Sequence, residues 1–291
     1  MKWTPKRFHI ETSTLCNSNC ITCPHSKIKR AKLIDVPRIK KLITKEMTEY
    51  AAGLQLVEFH NYNEPLLTPK IFFELTDLVN ETFGPGKVGL VTNGSVMDTE
   101  MADALLDAHL HHILFSIDGF TKETFQKVRL NLDRDKVYAN LDLFVERSRA
   151  KGGLAPEVNY VVTRENRHEV ETAREYFRDR RIVFWATGCN GRGGSGKEPY
   201  LVNTFTHEPC DYALDGVWIL SNLDVVPCCN DWSGVEVMGN LKKQSLKEVL
   251  EGPKYEGFRT LQLNHNKMNI GLCHFCTTNL NYKLADQLRK Y

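Results

Sequence analysis

Short apolar runs rich in Val, Ile and Phe alternate along the chain with longer stretches whose apolar residues recur at helical spacing. Buried parallel strands read as near-continuous apolar runs, and crossover helices carry a single apolar face. The alternation therefore predicts repeated βα units around a parallel sheet. The runs place strands at 8–12, 54–60, 88–92, 112–116, 157–163 and 182–186. Helices are predicted at 37–50, 69–82, 99–108, 136–149 and 167–178. Pro37 and Pro69 fit the first helical turn, where a missing N–H removes no intrahelical bond. Six strands with helices between them predict an α/β fold, a partial, TIM-like (β/α)6 barrel with its site at the carboxyl ends of the strands.

The texture changes after Ala186. Thr187-Gly-Cys-Asn-Gly-Arg-Gly-Gly-Ser-Gly196 is too rich in glycine for an element interior. A boundary there divides the chain into a barrel at 1–190 and a small α+β unit at 191–291. In the second unit 216–220 and 224–227 flank Ser221-Asn-Leu and predict a hairpin, and 245–250 predicts a short helix.

A chain of 291 residues can bury a large core, and about 150 residues per domain suggests one domain or two. The net charge of +2 points to no nucleic acid or other polyanionic partner, and the run Lys27-Ile-Lys-Arg30 reads as a solvated face. The N-terminal residues contain no apolar signal segment, and no stretch reaches the roughly 18 apolar residues of a membrane span. A cytoplasmic protein with reduced thiols is expected, in which nine cysteines serve as metal ligands rather than disulfides.

Cys16, Cys20 and Cys23 form a C-x3-C-x2-C set directly after the first predicted strand. Four thiolates close a [4Fe–4S] cluster, whereas three leave one iron without a protein ligand. Read alone, the triplet with His25 also suits a zinc knuckle. The spacing at the end of a first strand resembles the radical S-adenosylmethionine (radical SAM) enzymes, with Thr22 where that family usually carries an aromatic residue. The resemblance implies that the open iron chelates the amino and carboxylate groups of SAM. Reductive cleavage of SAM then gives methionine and a 5′-deoxyadenosyl radical, which takes hydrogen from a carbon.

The second strand ends in Phe59-His-Asn-Tyr-Asn-Glu-Pro, where the family carries a Gly-Gly-Glu-Pro motif that holds the methionine ammonium. The match implies cofactor binding by Asn63, Glu64 and Pro65, and a carboxylate facing an ammonium makes a charge-assisted hydrogen bond. The third and fourth strands end in Thr92-Asn93-Gly and Ser116-Ile-Asp118-Gly. These polar groups converge on one mouth and, with Arg129 and Asn159, occupy family-like cofactor positions. His60 is a candidate proton-transfer group. His109, His111 and His112 lack a ligand pattern and predict a solvated helix-to-strand turn.

A second set lies in the last third: Cys210, Cys228, Cys229 and the pair Cys273-His-Phe-Cys276. With Met238-Gly-Asn-Leu and Phe258-Arg259 between them, the frame resembles the SPASM and shortened "twitch" domains of radical SAM enzymes. That resemblance implies one auxiliary [4Fe–4S] cluster on Cys210, Cys228, Cys273 and Cys276. Adjacent residues on a strand face opposite sides, so Cys228 and Cys229 are not equivalent ligands. Tetrahedral zinc is the alternative for four cysteines.

The compact layout is similar to that of the radical SAM dehydrogenase of aminocyclitol biosynthesis. The likeness implies oxidation of a small polyol, aminocyclitol or sugar-like molecule with the auxiliary cluster accepting an electron, and makes Arg192 a candidate for the substrate hydroxyl. A competing reading is peptide or natural-product modification, by thioether formation or by epimerisation with Cys189 or Cys229 as hydrogen donor. A flavodoxin or ferredoxin would supply the electron. The non-catalytic alternative is a zinc-stabilised binding module.

Overall fold

The structure, a computed structural model, describes residues 3–30, 32–191, 208–274 and 276. Six parallel strands run in chain order across the sheet: β1 (Arg7–Ile10), β2 (Leu56–Glu58), β3 (Val88–Thr92), β4 (His112–Ser116), β5 (Glu157–Val162) and β6 (Val183–Gly188). Each joins its neighbour through a helical crossover, which gives the open, partial barrel expected from the apolar runs. Strands β3 and β4 have the predicted bounds, β2 is shorter at both ends, and β6 continues two residues past Ala186.

The crossover helices include α1 (Val36–Lys41), α2 (Pro69–Phe83), α3 (Thr99–Asp107), α4 (Lys122–Val128), α5 (Arg134–Lys151) and α6 (Val170–Asp179). The predicted helix 37–50 is not one α-helix. After α1 the chain passes through a π-helical turn, Leu42–Glu46, and a 3-10 stretch, Met47–Gly53. Ile39, Leu42, Ile43, Met47 and Tyr50 all reach the core, so the apolar face persists while the hydrogen bonding behind it changes. Helix α4 was not predicted. Thr121 caps its first turn, and the Glu169 carboxylate accepts from the Phe120 N–H at 2.8 Å and from the Thr121 hydroxyl.

The predicted hairpin is present as β7 (Gly216–Ile219) and β8 (Asp224–Val226), preceded by α7 (Asp211–Asp215). Its register adds a pairing that the sequence did not suggest. Strand β7 lies parallel to β1 from Arg7↔Gly216 to Ile10↔Ile219. With β9 (Gly239–Asn240) it extends one sheet to nine strands, ordered β6-β5-β4-β3-β2-β1-β7-β8-β9. Helix α8 (Leu246–Leu250) opens with a capping box between Ser245 and Glu248, followed by α9 (Pro253–Leu263) and α10 (Gly271–His274).

Side chains alternate across each strand. Phe8 and Ile10 of β1 are fully buried in the main core, while His9 and the following Glu11 project to the barrel interior. The same alternation puts Val57 and Phe59 in the core and Glu58 and His60 inside. Among the described residues no helix is long and apolar enough to cross a membrane.

Phe115 of β4 is fully buried and packs against Phe144 of α5, with ring centroids 5.7 Å apart. Phe115→Ala should cost about 3–5 kcal/mol of unfolding free energy in a urea titration. A loss below about 1 kcal/mol would contradict this packing.

Candidate active site

The loop after β1 is bonded to the end of α4. Asn19 N–H donates to the Leu130 carbonyl at 3.0 Å and Ile21 N–H to that of Val128, while the Ser18 hydroxyl bonds both Leu130 O and Cys20 Sγ. Cys23 N–H closes a turn onto Cys20 O. Burial pushes the Cys16 thiol up to about 11, and Cys20, Glu64 and Cys23 are electrostatic neighbours that add to the rise. The three thiols and the Glu64 carboxylate therefore share one site. His25 is committed elsewhere: its Nε2 lies 2.8 Å from the Thr14 carbonyl.

Glu64 is the hub of the strand ends. Its N–H donates to Leu15 O of the cysteine loop at 2.8 Å, and its carboxylate accepts from Thr92 Oγ1 at 2.8 Å, Asn93 N at 2.6 Å and Leu66 N at 3.2 Å. Burial raises its pKa, and these donors with the nearby Arg129 charge work against that rise. Pro65 begins a 3-10 turn that aims the Leu66 N–H at the acid. Asn63 braces the loop through Asn61 N and Thr12 Oγ1. The Asn93 amide donates to Asn17 Oδ1, which ties the β3 end to the cysteine loop.

Asp118 and Arg129 form a buried ion pair at 2.7 Å, and Asp118 also accepts from Val161 N. The Arg129 charge has Cys20 and Cys23 as further neighbours, and its Nε–H has no partner among the described residues. Ser116 lies at the β4 end beside Asn159, which accepts from the Thr187 hydroxyl at 3.1 Å. Cys189 is buried just past β6. Arg192 lies outside the described residues.

The second cysteine set shares one cavity. Cys210, Cys228, Cys229, Cys273 and Cys276 line it, with Asn230 and the buried Lys267. Burial raises Cys228 well above the usual thiol range, and Cys276, Cys210 and Cys273 are all its electrostatic neighbours. Asn230 Nδ2 donates to Cys276 Sγ at 3.4 Å and Gln262 Nε2 to Cys273 Sγ at 3.3 Å. Four thiols with amide donors and a lysine fit an anionic thiolate cluster. Strand β8 stops at Val226, so the alternation rule does not separate Cys228 from Cys229: both reach the cavity. Cys229 packs with Trp218, Leu220 and Val226, whereas Cys228 contacts that group and the main core as well.

Two contacts unseen in the sequence join the cysteine sets. Arg30 chelates the fully buried Glu11 and donates to the Trp232 carbonyl, and Glu11 also accepts from Ser221 N at 3.0 Å. Arg30 is thus a half-buried bridge, not part of the solvated face expected for its basic run. The Tyr62 hydroxyl donates to the Cys229 carbonyl. His112 also departs from expectation. It begins β4 with its ring 3.2 Å from Glu58, inside the barrel, beside His9 and His60. No local motif could have signalled a group drawn from three strands.

A profile of the radical SAM superfamily matches residues 10–177, and one described as an iron–sulfur cluster-binding domain matches residues 210–277. The chain is 20% identical over 273 residues to an S-adenosyl-L-methionine-dependent 2-deoxy-scyllo-inosamine dehydrogenase of Niallia circulans, covering 92% of this chain and 90% of that protein. Among solved structures it resembles BtrN in complex with AdoMet and 2-DOIA, with a TM-score of 0.66, 17% identity, and 95% and 94% of the two chains covered. It also resembles Streptococcus suis SuiB bound to the precursor peptide SuiA, with a TM-score of 0.69 and 14% identity over 88% of this chain and 67% of that one.

Arg129→Met should strand the buried Asp118 carboxylate and cost about 3–5 kcal/mol of stability. The double variant Asp118→Asn/Arg129→Met should recover much of that loss in a denaturation cycle. Strict additivity of the two single changes would contradict the pairing.

Proposed function

Because the chain belongs to the radical SAM superfamily and carries a C-terminal iron–sulfur cluster-binding domain, we propose that it oxidises a hydroxyl-bearing carbon of a small polyol, aminocyclitol or sugar-like molecule. SAM, a radical SAM [4Fe–4S] cluster and an auxiliary iron–sulfur cluster are its cofactors, which supersedes the zinc-module reading. When bound they supply a one-electron cleavage of SAM, a hydrogen-atom acceptor and a sink for the electron left on the substrate. The remaining hydroxyl proton goes to solvent or a base, so that C–H and O–H are exchanged for C=O with two electrons removed.

The protein's own residues bind and orient. Cys16, Cys20 and Cys23 hold the open cluster. Glu64, kept in place by Thr92, Asn93 and Leu66, receives the SAM ammonium, with Asn63 and Pro65 shaping the loop. The spare Nε–H of Arg129 is a donor for the cofactor carboxylate, and Ser116, Asp118 and Asn159 line the adjoining strand ends. Cys210, Cys228, Cys273 and Cys276 hold the auxiliary cluster, with Cys229 at the edge of the same cavity and outside the ligand set. Arg192 is assigned to the substrate hydroxyl by its place in the chain.

One observation carries the oxidative reading. The auxiliary cysteine loop is fastened to the barrel mouth by the β1–β7 ladder, by Arg30 and by the Tyr62–Cys229 bond, so an electron acceptor would lie beside the substrate space. Coverage of nearly the whole length of the dehydrogenase relative supports the same reading. Peptide epimerisation is the competing chemistry, since Cys189 or Cys229 could return hydrogen to a substrate radical.

Anaerobically reconstituted protein should hold about eight irons per chain, two clusters of four. Cys16→Ala should abolish methionine release from SAM, whereas Cys273→Ala should retain part of it without substrate oxidation. Equal activity of both variants with wild type would contradict the ligand assignment. With SAM, dithionite and a panel of aminocyclitols headed by 2-deoxy-scyllo-inosamine, mass spectrometry should show a product lighter by two hydrogens. A product of unchanged mass that takes up deuterium from D2O would instead establish epimerisation.

A further inference from the structure

The barrel interior holds a group of ligating side chains that the cofactor chemistry leaves unused. His9 pairs with Glu58 across the β1–β2 ladder, and His60 follows two residues past the end of β2. One donor atom from each lies within 4.8 Å of the other two. His9 Nδ1 is 3.0 Å from Glu58 Oε2, close to the spacing of two donors that share a first-row ion at bond lengths of about 2.0–2.2 Å. His9 Nε2 and His60 Nδ1 are buried and have no hydrogen-bond partner among the described residues.

The surroundings hold these donors in place. His112 Nε2 lies 3.2 Å from the other Glu58 oxygen, an outer hydrogen bond of the kind that orients a ligating carboxylate. The His9 ring stacks on Trp218, 4.7 Å between centroids and 6° from parallel. Gly89 keeps the space open, since a Cβ there would fall 2.4 Å from the His112 ring and 3.1 Å from Glu58 Oε1. Burial lowers His9 to about 4 and lowers His60 as well, so both rings offer neutral nitrogens at neutral pH. Burial opposes the Glu58 charge, but its histidine neighbours hold its pKa below the usual carboxylate range.

We propose that His9, Glu58 and His60 bind a divalent transition-metal ion, with zinc(II) as the ion suited to two imidazoles and one carboxylate. The site uses none of the nine cysteines and stands independently of the substrate assignment. A three-donor set leaves coordination positions for water or an exogenous ligand.

The test uses the holoenzyme with both clusters reconstituted, dialysed against buffered zinc. One zinc per chain should be retained with the iron content unchanged. Its K-edge absorption fine structure should show only nitrogen and oxygen scatterers near 2.0 Å, with no sulfur near 2.3 Å. His60→Ala should release the zinc while keeping its iron, and His112→Phe should weaken zinc binding by about 10- to 100-fold. Absence of retained zinc in fully iron-loaded wild type, a sulfur shell around the zinc, or unchanged binding by His60→Ala would each overturn the proposal.

Discussion

Strand β1 is hydrogen-bonded along both edges, to β2 on one side and to β7 on the other, and the positions of both cysteine sets follow from that double register. The first set leaves the carboxyl end of β1. The second is carried by the hairpin and helices that β7 anchors. Parallel pairing fixes the direction as well as the spacing, because a slip of one residue would turn His9 and Glu11 into the core and Phe8 and Ile10 inward. Glu11, one residue past β1, then reinforces the junction by accepting from both Arg30 and Ser221.

Buried charge organises the mouth of the barrel. Glu11–Arg30, Asp118–Arg129 and Glu64 with its three donors all sit where water is scarce, and each acid is supplied with hydrogen bonds that offset its desolvation. Such groups are specific rather than strongly stabilising, since an apolar replacement of both partners would fold about as well. Their value is positional. They lock the cysteine loop, the second-strand loop and the end of β3 to one another, with Asn17, Asn93 and Leu15 as the connecting residues.

Much of this was legible in the sequence. The apolar runs located all six barrel strands because each is buried on its helix-facing side; Cys16, Cys20 and Cys23 stand out by their spacing after the first strand, and Glu64 by its resemblance to the family's Gly-Gly-Glu-Pro motif. Helix α4 escaped notice because only Thr124, Phe125 and Val128 of its seven residues are buried, too short a stripe for periodicity to register. The break after α1 was hidden for the opposite reason, since Leu42, Ile43, Met47 and Tyr50 continue the apolar spacing through a change in hydrogen bonding. Contacts between distant segments left no local mark: β7 on β1, Arg30 on Glu11 and Trp232, and His9, Glu58, His60 and His112 around one carboxylate. The alternation rule for Cys228 and Cys229 did not apply because the strand ends two residues before them.

If Cys16, Cys20 and Cys23 leave one iron open and the second cysteine set closes its cluster, the two centres differ in their response to SAM. Electron paramagnetic resonance of the dithionite-reduced, reconstituted protein should therefore show two cluster signals, only one of which changes when SAM is added. Cys16→Ala should lose the responsive signal and keep the other. A single signal, or two signals that are both indifferent to SAM, would contradict the assignment of the two cysteine sets.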